Sequence, residues 1–421
     1  MQIVFLATRI FGNDGVSLEA GHWKEILLKM GHKVTFVAGQ LDQSGILIPE
    51  LHFQHPKIAE LYDNVVYSKG DYRKVESGIF DIAGTIEGKI REVFHNGIYP
   101  DLLIVPNIFS IPMSFPLAVA LARVIEEDKI PTIARHHDFW WERDRFNNST
   151  MFGFFKHWFP PNIFSISHCV INSIAKEELF KRTGLKAEVI PDTYDFNSKT
   201  NQIDAFSKNF RSDFSLKKDD IIFLQPTRLV PRKRIEISVK LVKKLGNSKA
   251  VLVLAGHSGD EGYLYEKRMK KLCLKENIRY KFIGKYINSR RRYVEENKNG
   301  KTVRRRIFTL WDSYVNSDFV LYPTSCEGFG NQFIETMFFK KPILLTPYPV
   351  YLKDIKPLGF RTIEMTENVQ EDVIKNINFL ISSPSEVGEM VRDNFDLAKK
   401  YFDYKVVREK LNKIISTLNK K

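Results

Sequence analysis

The stretch Pro-Thr-Ser-Cys-Glu-Gly-Phe-Gly-Asn-Gln-Phe-Ile-Glu, residues 323–335, decides the fold of this chain. It follows the apolar run 319–322 and opens an amphipathic stretch that ends at Lys340 and Lys341. An apolar run, a glycine-containing turn and a helical period, in this order, are typical of a strand that leads into a helix in an α/β protein. The sequence therefore predicts a strand, a turn and a helix start here, with polar residues in the turn.

The turn in this stretch has the composition of a ligand site. Gly328 and Gly330 allow the backbone to approach a ligand closely, and the amides from Gly330 onward point out of a helix N-terminus, where anions and hydroxyl oxygens bind. Glu327 and Glu335 lie on either side of the last glycine, so their carboxylates are spaced to hold two ends of one polyhydroxylated ligand. The backbone contacts are expected at Gly328, Phe329, Gly330 and Asn331.

The length of the chain and its alternation of strand-like and helical segments predict two α/β domains. At 421 residues the chain is too long for one ordinary core, and 43% hydrophobic with 27% charged residues is typical of a globular protein. Short β-branched runs alternate with helical patterns in both halves, which indicates parallel sheets covered by helices. We expect an N-terminal domain at 1–200, a C-terminal domain at 201–385, and a helical segment at 386–421 that packs back toward the first domain. Strands are expected at 3–7, 33–38, 102–105, 131–134, 168–171, 187–190, 221–225, 251–255, 280–283, 319–322 and 343–345.

Charge, cysteines and hydropathy restrict the setting of the protein. The net charge of +14 predicts an anionic ligand, acceptor or surface without saying which. Cys169, Cys273 and Cys326 lie far apart in the sequence, which argues for a reducing compartment and against a disulfide or zinc framework. No apolar run approaches the ~18 residues of a membrane span, and the N-terminus has the pattern of a first strand. We expect a cytoplasmic protein.

A second constellation follows the first strand of the second half. In the segment 227–234, Thr-Arg-Leu-Val-Pro-Arg-Lys-Arg, a proline-containing turn separates Arg228 from Lys233, so both side chains are expected to reach one diphosphate. Two cations suit a departing nucleoside diphosphate, because negative charge builds on its bridging oxygen in the transition state. A basic, solvent-exposed helix N-terminus is the alternative interpretation.

Together, the two segments resemble those of the retaining glycosyltransferases of family 4. Residues 227–234 are similar to the family's G-R-L-x-x-x-K-G segment, and 327–335 to its E-x7-E signature. The resemblance implies an α/β GT-B fold, with two Rossmann-like domains that face each other across a cleft, the first for the acceptor and the second for a nucleotide-sugar. It also implies that Arg228 and Lys233 hold the donor phosphates. Glu327 then contacts hydroxyls of the donor sugar, and Glu335 binds the ribose.

The chain departs from the family pattern beside these cations. Thr227 and Arg234 both stand where the family usually has glycine. These departures affect the expected backbone path more than the expected roles of the charges.

Other strand ends carry weaker matches to the family. The loop 12–15, Gly-Asn-Asp-Gly, resembles the family's glycine-rich loop, and Asp14 and Gly15 are expected to contact donor phosphate or acceptor hydroxyls; a plain turn is the alternative. Gly256 and Tyr286 occupy the strand ends that contact the nucleotide base in the family.

A dense group of ionisable and aromatic residues, 135–143, follows the strand at 131–134. It resembles the His-Asp region that lines the sugar and acceptor site of the family, with His137 and Asp138 at the matching positions. The resemblance makes His137 a candidate catalytic residue that covers the sugar on domain closure. Histidine can bond a sugar hydroxyl, arginine can pair with an acceptor carboxylate or phosphate, and tryptophan can stack on a sugar face. The other acceptor candidates are Arg135, His136, Trp141 and Arg143, with core packing as the alternative for each.

The sequence thus predicts a metal-independent hexosyltransferase with retention of configuration. A hexose is expected to move from UDP- or GDP-hexose to an acceptor hydroxyl. The resemblance implies front-face substitution, in which the leaving phosphate accepts the acceptor's proton. No cofactor is expected, since two cations are available for the phosphates and the chain has no H-E-x-x-H motif. Arg135, Arg143 and Arg145 favour a small acidic acceptor, such as a sugar acid or a phosphorylated sugar. The region also loosely resembles synthases of glycosylglycerate compatible solutes, which implies a glycosylglycerate as a further candidate acceptor.

Two other functions remain open. Transfer to a lipid-linked or cell-surface glycan, at the inner membrane face, is supported by the charge and by the aromatic stretch 151–159, which is also typical of a buried helix. A nucleic-acid-binding protein is the remote alternative, because no binding motif accompanies the arginine triplets 290–292 and 304–306. The insertion 284–307 that carries the triplets is predicted to be a solvated loop or hairpin, or a contact for an anionic acceptor or membrane.

Overall fold

The chain folds into two compact units, Met1–Thr193 with Tyr404–Lys421, and Tyr194–Asp403. A computed structural model describes residues 1–12, 14–67, 72–147, 151–257, 263–298 and 301–418, without the side chains of 72–74, 147, 298 and 301. Within these ranges, no helix combines the length and the apolar character that crossing a membrane requires.

The N-terminal unit is built on a parallel sheet of seven strands. The strands are β1 (Gln2–Ala7), β2 (Lys33–Ala38), β3 (Ile46–Leu47), β4 (Leu102–Pro106), β5 (Thr132–His136), β6 (Ile166–Val170) and β7 (Ala187–Val189). Their order is β3-β2-β1-β4-β5-β6-β7. The helices are α1 (Gly15–Lys29), α2 (Pro56–Val66), α3 (Tyr72–His95), α4 (Phe115–Glu127), α5 (Asp144–Asn147), α6 (Phe152–Trp158) and α7 (Ser173–Thr183). Strands such as β1 and β4 are buried along their length, as expected for a parallel sheet covered on both faces.

The C-terminal unit repeats this arrangement with a parallel sheet of six strands in the order β10-β9-β8-β13-β14-β15. The sheet strands are β8 (Ile221–Gln225), β9 (Ala250–Leu254), β10 (Tyr280–Phe282), β13 (Phe319–Tyr322), β14 (Ile343–Leu345) and β15 (Ile363–Glu364). Two further strands, β11 (Arg292–Lys298) and β12 (Lys301–Ile307), form an antiparallel hairpin. The helices are α8 (Phe210–Asp213), α9 (Ile235–Leu245), α10 (Tyr263–Lys275), α11 (Leu310–Val315), α12 (Asn331–Phe338), α13 (Glu371–Ser382) and α14 (Pro384–Phe402).

The helical end of the chain, predicted as one segment at 386–421, is divided between the units. Helix α14 belongs to the C-terminal unit, where Asn394 exchanges two hydrogen bonds of 2.8 Å with the backbone of Arg361. The next helix, α15 (Tyr404–Leu418), belongs to the N-terminal unit. There the Tyr404 hydroxyl donates to Glu25 at 3.0 Å, and Lys410 donates to the carbonyl of Val189 at 2.7 Å. Because these partners lie far away in sequence, helical periodicity could not separate the two helices.

The predicted parallel α/β architecture is confirmed. Every predicted strand is present, with ends that agree to within two residues. Strands β3 and β15 were not predicted, since two residues are too few to show a period. The arginine-rich insertion forms the hairpin β11–β12, which was one of its two predicted structures.

Candidate active site

Three loops at the carboxyl ends of β8, β9 and β10 pack backbone against backbone. A Cβ atom on Gly256 would lie 1.8 Å from the carbonyl oxygen of Thr227, and one on Gly284 would lie 2.3 Å from that of Gly256. No side chain fits at such distances, so both positions require glycine. Loop packing thus accounts for Gly256, and its contact with a nucleotide base stays a prediction.

Lys233 and Glu327 form a buried ion pair in the C-terminal unit. Lys233 ends the 3₁₀ turn Pro231–Lys233 after β8, and Glu327 lies in the loop between β13 and α12. The hydroxyl of Thr324 donates to Oε1 of the same carboxylate at 2.6 Å. Burial opposes ionisation of Glu327, but Lys233 and Thr324 outweigh it, so the pKa of Glu327 lies below its usual value. Two segments that the sequence singled out separately therefore meet in one site.

Two arginines add positive charge around this pair. Nη1 of Arg232 lies 3.5 Å from Oε2 of Glu327. Arg228 is exposed, and no hydrogen bond or ion pair joins its guanidinium to another residue in the described part of the chain. Its charge, with that of Arg232, helps to lower the pKa of Lys233, for which burial is the main cause. Lys233 and Arg232 thus lie against one carboxylate, and the charge of Arg228 acts on Lys233; this excess of positive charge suits a diphosphate.

The turn before α12 is fixed by contacts inside the protein. Gly330 has a φ of +122°, and a Cβ atom there would lie 2.6 Å from the Tyr348 hydroxyl oxygen. That hydroxyl donates to the carbonyl oxygen of Phe329 at 2.8 Å. Gly328 is exposed, and α12 begins at Asn331, whose side-chain oxygen is buried without a hydrogen-bond partner among the described residues. The predicted glycine turn and helix start are therefore present, with Gly330 required by the backbone conformation.

Glu335 lies buried on α12, held by a tyrosine that the sequence did not indicate. The hydroxyl of Tyr314 on α11 donates to Oε2 of Glu335 at 2.8 Å. Burial and the neighbouring carboxylate raise the pKa of Tyr314 well above its usual value, so its hydroxyl stays a donor. This contact fixes the orientation of Glu335, whose contact with a ribose stays a prediction.

Tyr286 packs against the hairpin β11–β12. The guanidinium of Arg305 lies 4.7 Å from the centre of its ring, and the ammonium of Lys285 lies 4.5 Å from it. Burial raises the pKa of Tyr286, but these cations outweigh it and leave the pKa below its usual value. Arg306 of the hairpin pairs with Asp213 at 3.0 Å. Part of the arginine-rich insertion is therefore engaged in intramolecular contacts, and the contact of Tyr286 with a base stays a prediction.

In the N-terminal unit, Arg135 is buried among charged partners. Its Nη2 donates to Glu19 at 3.0 Å and to Asp192 at 3.2 Å, and its guanidinium lies 4.2 Å from the centre of the Trp23 ring. Burial and Glu19 raise the pKa of Asp192 to about 7, although Arg135 opposes this shift. With 3% of its surface exposed, Arg135 holds two carboxylates of the protein itself. This internal role replaces the expected contact with an acceptor.

The two histidines beside Arg135 differ in what they can offer a ligand. His136 is fully buried, with Nε2 3.0 Å from Nδ1 of His168, so the expected contact of its side chain with an acceptor is not possible in this conformation. Both ring nitrogens of His137 are buried without a hydrogen-bond partner among the described residues. Burial and Arg135 lower the pKa of His137 to about 3, so the ring is neutral. A neutral ring with free nitrogens suits a sugar hydroxyl, and the catalytic role of His137 stays a prediction.

A pocket of about 230 Å³ opens at the carboxyl ends of β1 and β4. Its lining includes two carboxylates that are already paired, Asp14 with Arg9 at 3.5 Å and Asp138 with Arg143. The predicted acceptor residues Asp138 and Arg143 therefore meet beside Asp14 at one pocket. A third arginine, Arg145, also lines it.

The glycine-rich loop ends in a helix cap beside this pocket. Asp14 is the N-cap of α1, which begins at Gly15, and its Oδ1 accepts from the amides of Val16 and Ser17 at 3.1 Å. Asn13 of the same loop lies outside the described residues. The capping role accounts for the aspartate at this position, and a contact of Asp14 or Gly15 with phosphate stays a prediction.

Most aromatic residues that the sequence singled out pack in the core. Trp141 stacks on Phe139 with ring centres 4.4 Å apart. In the stretch 151–159, Phe154 and Phe155 are buried on α6, while Phe152 is 43% exposed. This stretch is therefore largely the buried helix that was one of its two interpretations. Among the described residues, no three His, Cys, Asp or Glu side chains are grouped so as to hold a metal ion.

Known proteins resemble this chain along its whole length. Residues 206–289 match the family described as glycosyl transferases group 1. The chain is 32% identical to the mannosylglucosylglycerate synthase of Petrotoga mobilis, over 97% of this chain and 100% of the relative. It belongs to the group 1 glycosyltransferases. The mannosylglucosylglycerate synthase of Thermotoga maritima is 29% identical to this glycosyltransferase, with 96% of each chain covered.

The fold of this glycosyltransferase is GT-B, as its sequence predicted. The crystal structure of Anabaena HepE in complex with UDP matches it with a TM-score of 0.64 at 14% identity, over 99% of this chain and 100% of that one. A glycosyltransferase from Rickettsia africae matches with a TM-score of 0.67 at 14% identity, over 99% and 98% of the two chains. At such identities the likeness establishes the fold alone.

Sequence reasoning missed the residues of this glycosyltransferase that hold the predicted ones in place. Thr324 lies inside the stretch that decides the fold, but a threonine at a strand end is too common to signal a contact with Glu327. Tyr314 and Tyr348 come from other elements, and neither stands in a motif. A polar partner for each buried carboxylate was the signal to look for, because buried charges require hydrogen bonds.

Proposed function

We propose that this glycosyltransferase moves a hexose from UDP- or GDP-hexose to a hydroxyl of a small acidic acceptor of the glycosylglycerate type. Transfer retains the anomeric configuration and needs no divalent metal. The observation that carries the substrate class is the 32% identity, over 97% of this chain, to a synthase named for a product of this kind. The buried Lys233–Glu327 pair, with two arginines beside it, supports the donor class.

The ion pair suggests how the donor enters the site. Without a ligand, Lys233 is neutralised by Glu327 inside the protein. A diphosphate beside Arg228 and Lys233 brings two negative charges, which compete with the single carboxylate for the ammonium. Glu327 is then free to accept hydrogen bonds from hydroxyls of the donor sugar. Glu335, held by Tyr314, binds the ribose at the other end of the same turn.

The chemistry follows from the same charges. As the glycosidic bond breaks, negative charge grows on the leaving diphosphate, and the cations stabilise it without moving far. The phosphate oxygen accepts the proton of the attacking hydroxyl on the same face of the sugar, so the configuration at the anomeric carbon is retained. Because the phosphate accepts this proton, the reaction requires no further base, and the neutral His137 ring serves to bond a sugar hydroxyl.

A panel of UDP- and GDP-hexoses with glucosylglycerate as the acceptor tests this function. We expect one donor to give a product whose anomeric configuration, read by NMR, matches that of the donor. The rate should be unchanged in EDTA. Inverted product would overturn the retaining mechanism, loss of activity in EDTA would overturn metal independence, and turnover of no donor would overturn the function.

A further inference from the structure

We propose that Ser114, at the N-terminus of α4, and Arg145, on α5, bind the carboxylate of the acceptor. This inference rests on the proposed function, for which it names the residues that recognise the acid. Neither residue belongs to a segment that matches a family motif, and both line the pocket at the ends of β1 and β4.

Ser114 is the N-cap of α4 but does not cap the helix with its side chain. The residue is 4% exposed, and its hydroxyl oxygen is buried without a hydrogen-bond partner among the described residues. A buried hydroxyl without a partner is destabilising unless a ligand or water satisfies it. At the start of this 13-residue helix Pro116 has no N–H, but the amides of Phe115 and Leu117 have no partner within the helix, and the helix dipole favours an anion at this end. The hydroxyl and the helix end thus point to the same kind of ligand.

Arg145 supplies the cation for this site. Its Nη2 donates to Sδ of Met113, the residue directly before Ser114, at 3.3 Å. The other two arginines of the pocket, Arg9 and Arg143, already pair with carboxylates. Arg145 is exposed and pairs with no carboxylate in the described part of the chain. The pocket therefore keeps one arginine for an incoming anion.

A carboxylate fits these donors. The planar guanidinium of Arg145 presents two parallel N–H groups that match the two oxygens of a carboxylate. The Ser114 hydroxyl donates a third hydrogen bond from the helix end. An uncharged acceptor of the same shape would leave the guanidinium without its partner, so the site selects the acid form of a glycosylglycerate.

Kinetics with an acid and a neutral acceptor test the site. The acid is glucosylglycerate, and the neutral counterpart is glucosylglycerol, in which a hydroxymethyl group replaces the carboxylate. For the wild type, we expect KM to be lower for the acid. Arg145→Ala should raise KM for the acid by about 10- to 100-fold, and Ser114→Ala should raise it by about tenfold. Each substitution removes a hydrogen bond to a charged group. KM for the neutral acceptor and kcat should stay within about twofold of the wild type, since a site that binds the carboxylate contributes little to a neutral acceptor or to the chemical step.

Two further variants separate charge from geometry. Arg145→Lys keeps the charge but loses the two parallel N–H groups of the guanidinium, so its KM for the acid should lie between those of the wild type and Arg145→Ala. Arg408→Ala removes an equal charge from an exposed position on α15, outside the pocket, and should leave both acceptors unaffected.

The outcomes distinguish this inference from the proposed function. If the wild type prefers the acid, and Arg145→Ala and Ser114→Ala keep that preference, the site is wrong while the function stands. If the wild type uses the acid and the neutral acceptor equally well, the carboxylate site and the proposed acidic acceptor are both wrong. If no transfer occurs, calorimetry with glucosylglycerate decides the site by itself: binding that Arg145→Ala abolishes supports it, and unchanged or absent binding overturns it.

Discussion

The two units place charged residues at the carboxyl ends of parallel strands in opposite ways. In the C-terminal unit, Lys233 and Arg232 lie against the single carboxylate of Glu327, and Arg228 adds a third positive charge that acts on Lys233. In the N-terminal unit, Arg135 is buried between two carboxylates. The first set has positive charge to offer an incoming diphosphate. The second has none, because its carboxylates outnumber its cation.

This difference shows why a residue type at a strand end does not define a role. Arg135 lies near the carboxyl end of the buried strand β5, Lys233 lies in the turn after β8, and both are almost fully buried. What separates them is the charge of their surroundings, since an anionic ligand can replace Glu327 beside Lys233 but meets two carboxylates beside Arg135. The comparison predicts that removal of Arg135 affects mainly stability, and removal of Lys233 mainly turnover.

The largest effect is expected for Arg135→Met. Glu19 and Asp192 would remain buried without their cation, and breaking a buried ion pair from one side typically costs about 3–5 kcal/mol of stability. Urea-induced unfolding, followed by circular dichroism, measures the loss. Arg143→Met is the matched control, because its pair with Asp138 is partly exposed and should cost less than about 1 kcal/mol.

One outcome would contradict the proposed difference between Arg135 and Lys233. If Arg135→Met were as stable as the wild type but failed to bind the acceptor, Arg135 would face the substrate. The strand-end cations of the two units would then serve in the same way.

Lys233→Ala should have the next largest effect, on turnover. Removing a cation from the developing charge of the leaving diphosphate should lower kcat by about 10²–10³-fold, as for other preorganised electrostatic contacts. Initial rates at saturating donor and acceptor measure it. Near-normal transfer would contradict the role of Lys233.

Stability provides the control for this variant. Lys233→Ala also leaves Glu327 buried without its main partner, so some stability should be lost. Adding Glu327→Gln removes the uncompensated charge and should recover stability without turnover. Recovery of turnover in the double variant would mean that Lys233 acts only by neutralising Glu327.

The sequence predicted the C-terminal set far better than the N-terminal one, for a physical reason. Arg228, Lys233 and Glu327 lie in two short segments whose spacing follows from a strand, a turn and a helix start. The partners of Arg135 lie 116 and 57 positions away, on α1 and after β7, so no local pattern could show that its charge is already engaged. The fold was predictable because the strands are runs of buried β-branched residues, while β3 and β15 were too short to detect.

The pH dependence of stability tests the buried, neutral state of His137 in the N-terminal unit. With its pKa lowered to about 3, His137 stays neutral in the folded protein while the same residue in the unfolded chain gains a proton near pH 6.5. The unfolded state therefore binds more protons between these values, and stability should fall as the pH drops from about 6.5 to 3, by at most ~1.4 kcal/mol per pH unit for one histidine.

Urea unfolding at pH 7 and pH 5 should show a smaller difference in unfolding free energy for His137→Gln than for the wild type. An equal difference in both proteins would contradict the buried, neutral state of His137, and His157→Gln, at an exposed position, is the control.

The smallest effect is expected for Arg234→Gly. This variant tests whether Arg234, like the other cations of the C-terminal loops, helps to bind the donor diphosphate. Arg234 has a φ of +50°, at a position where the family usually has glycine, and pairs with Glu367. Glycine relieves about 1 kcal/mol of strain in this conformation, but it makes the unfolded chain more flexible, by a similar amount. We therefore expect unfolding free energy to change by less than about 1 kcal/mol, and donor KM and kcat by less than about twofold, because an arginine engaged by a surface carboxylate contributes little elsewhere. Glu367→Gln, which removes the same ion pair and keeps the backbone, is the matched control. A tenfold rise in donor KM for Arg234→Gly alone would add Arg234 to the cations that hold the diphosphate.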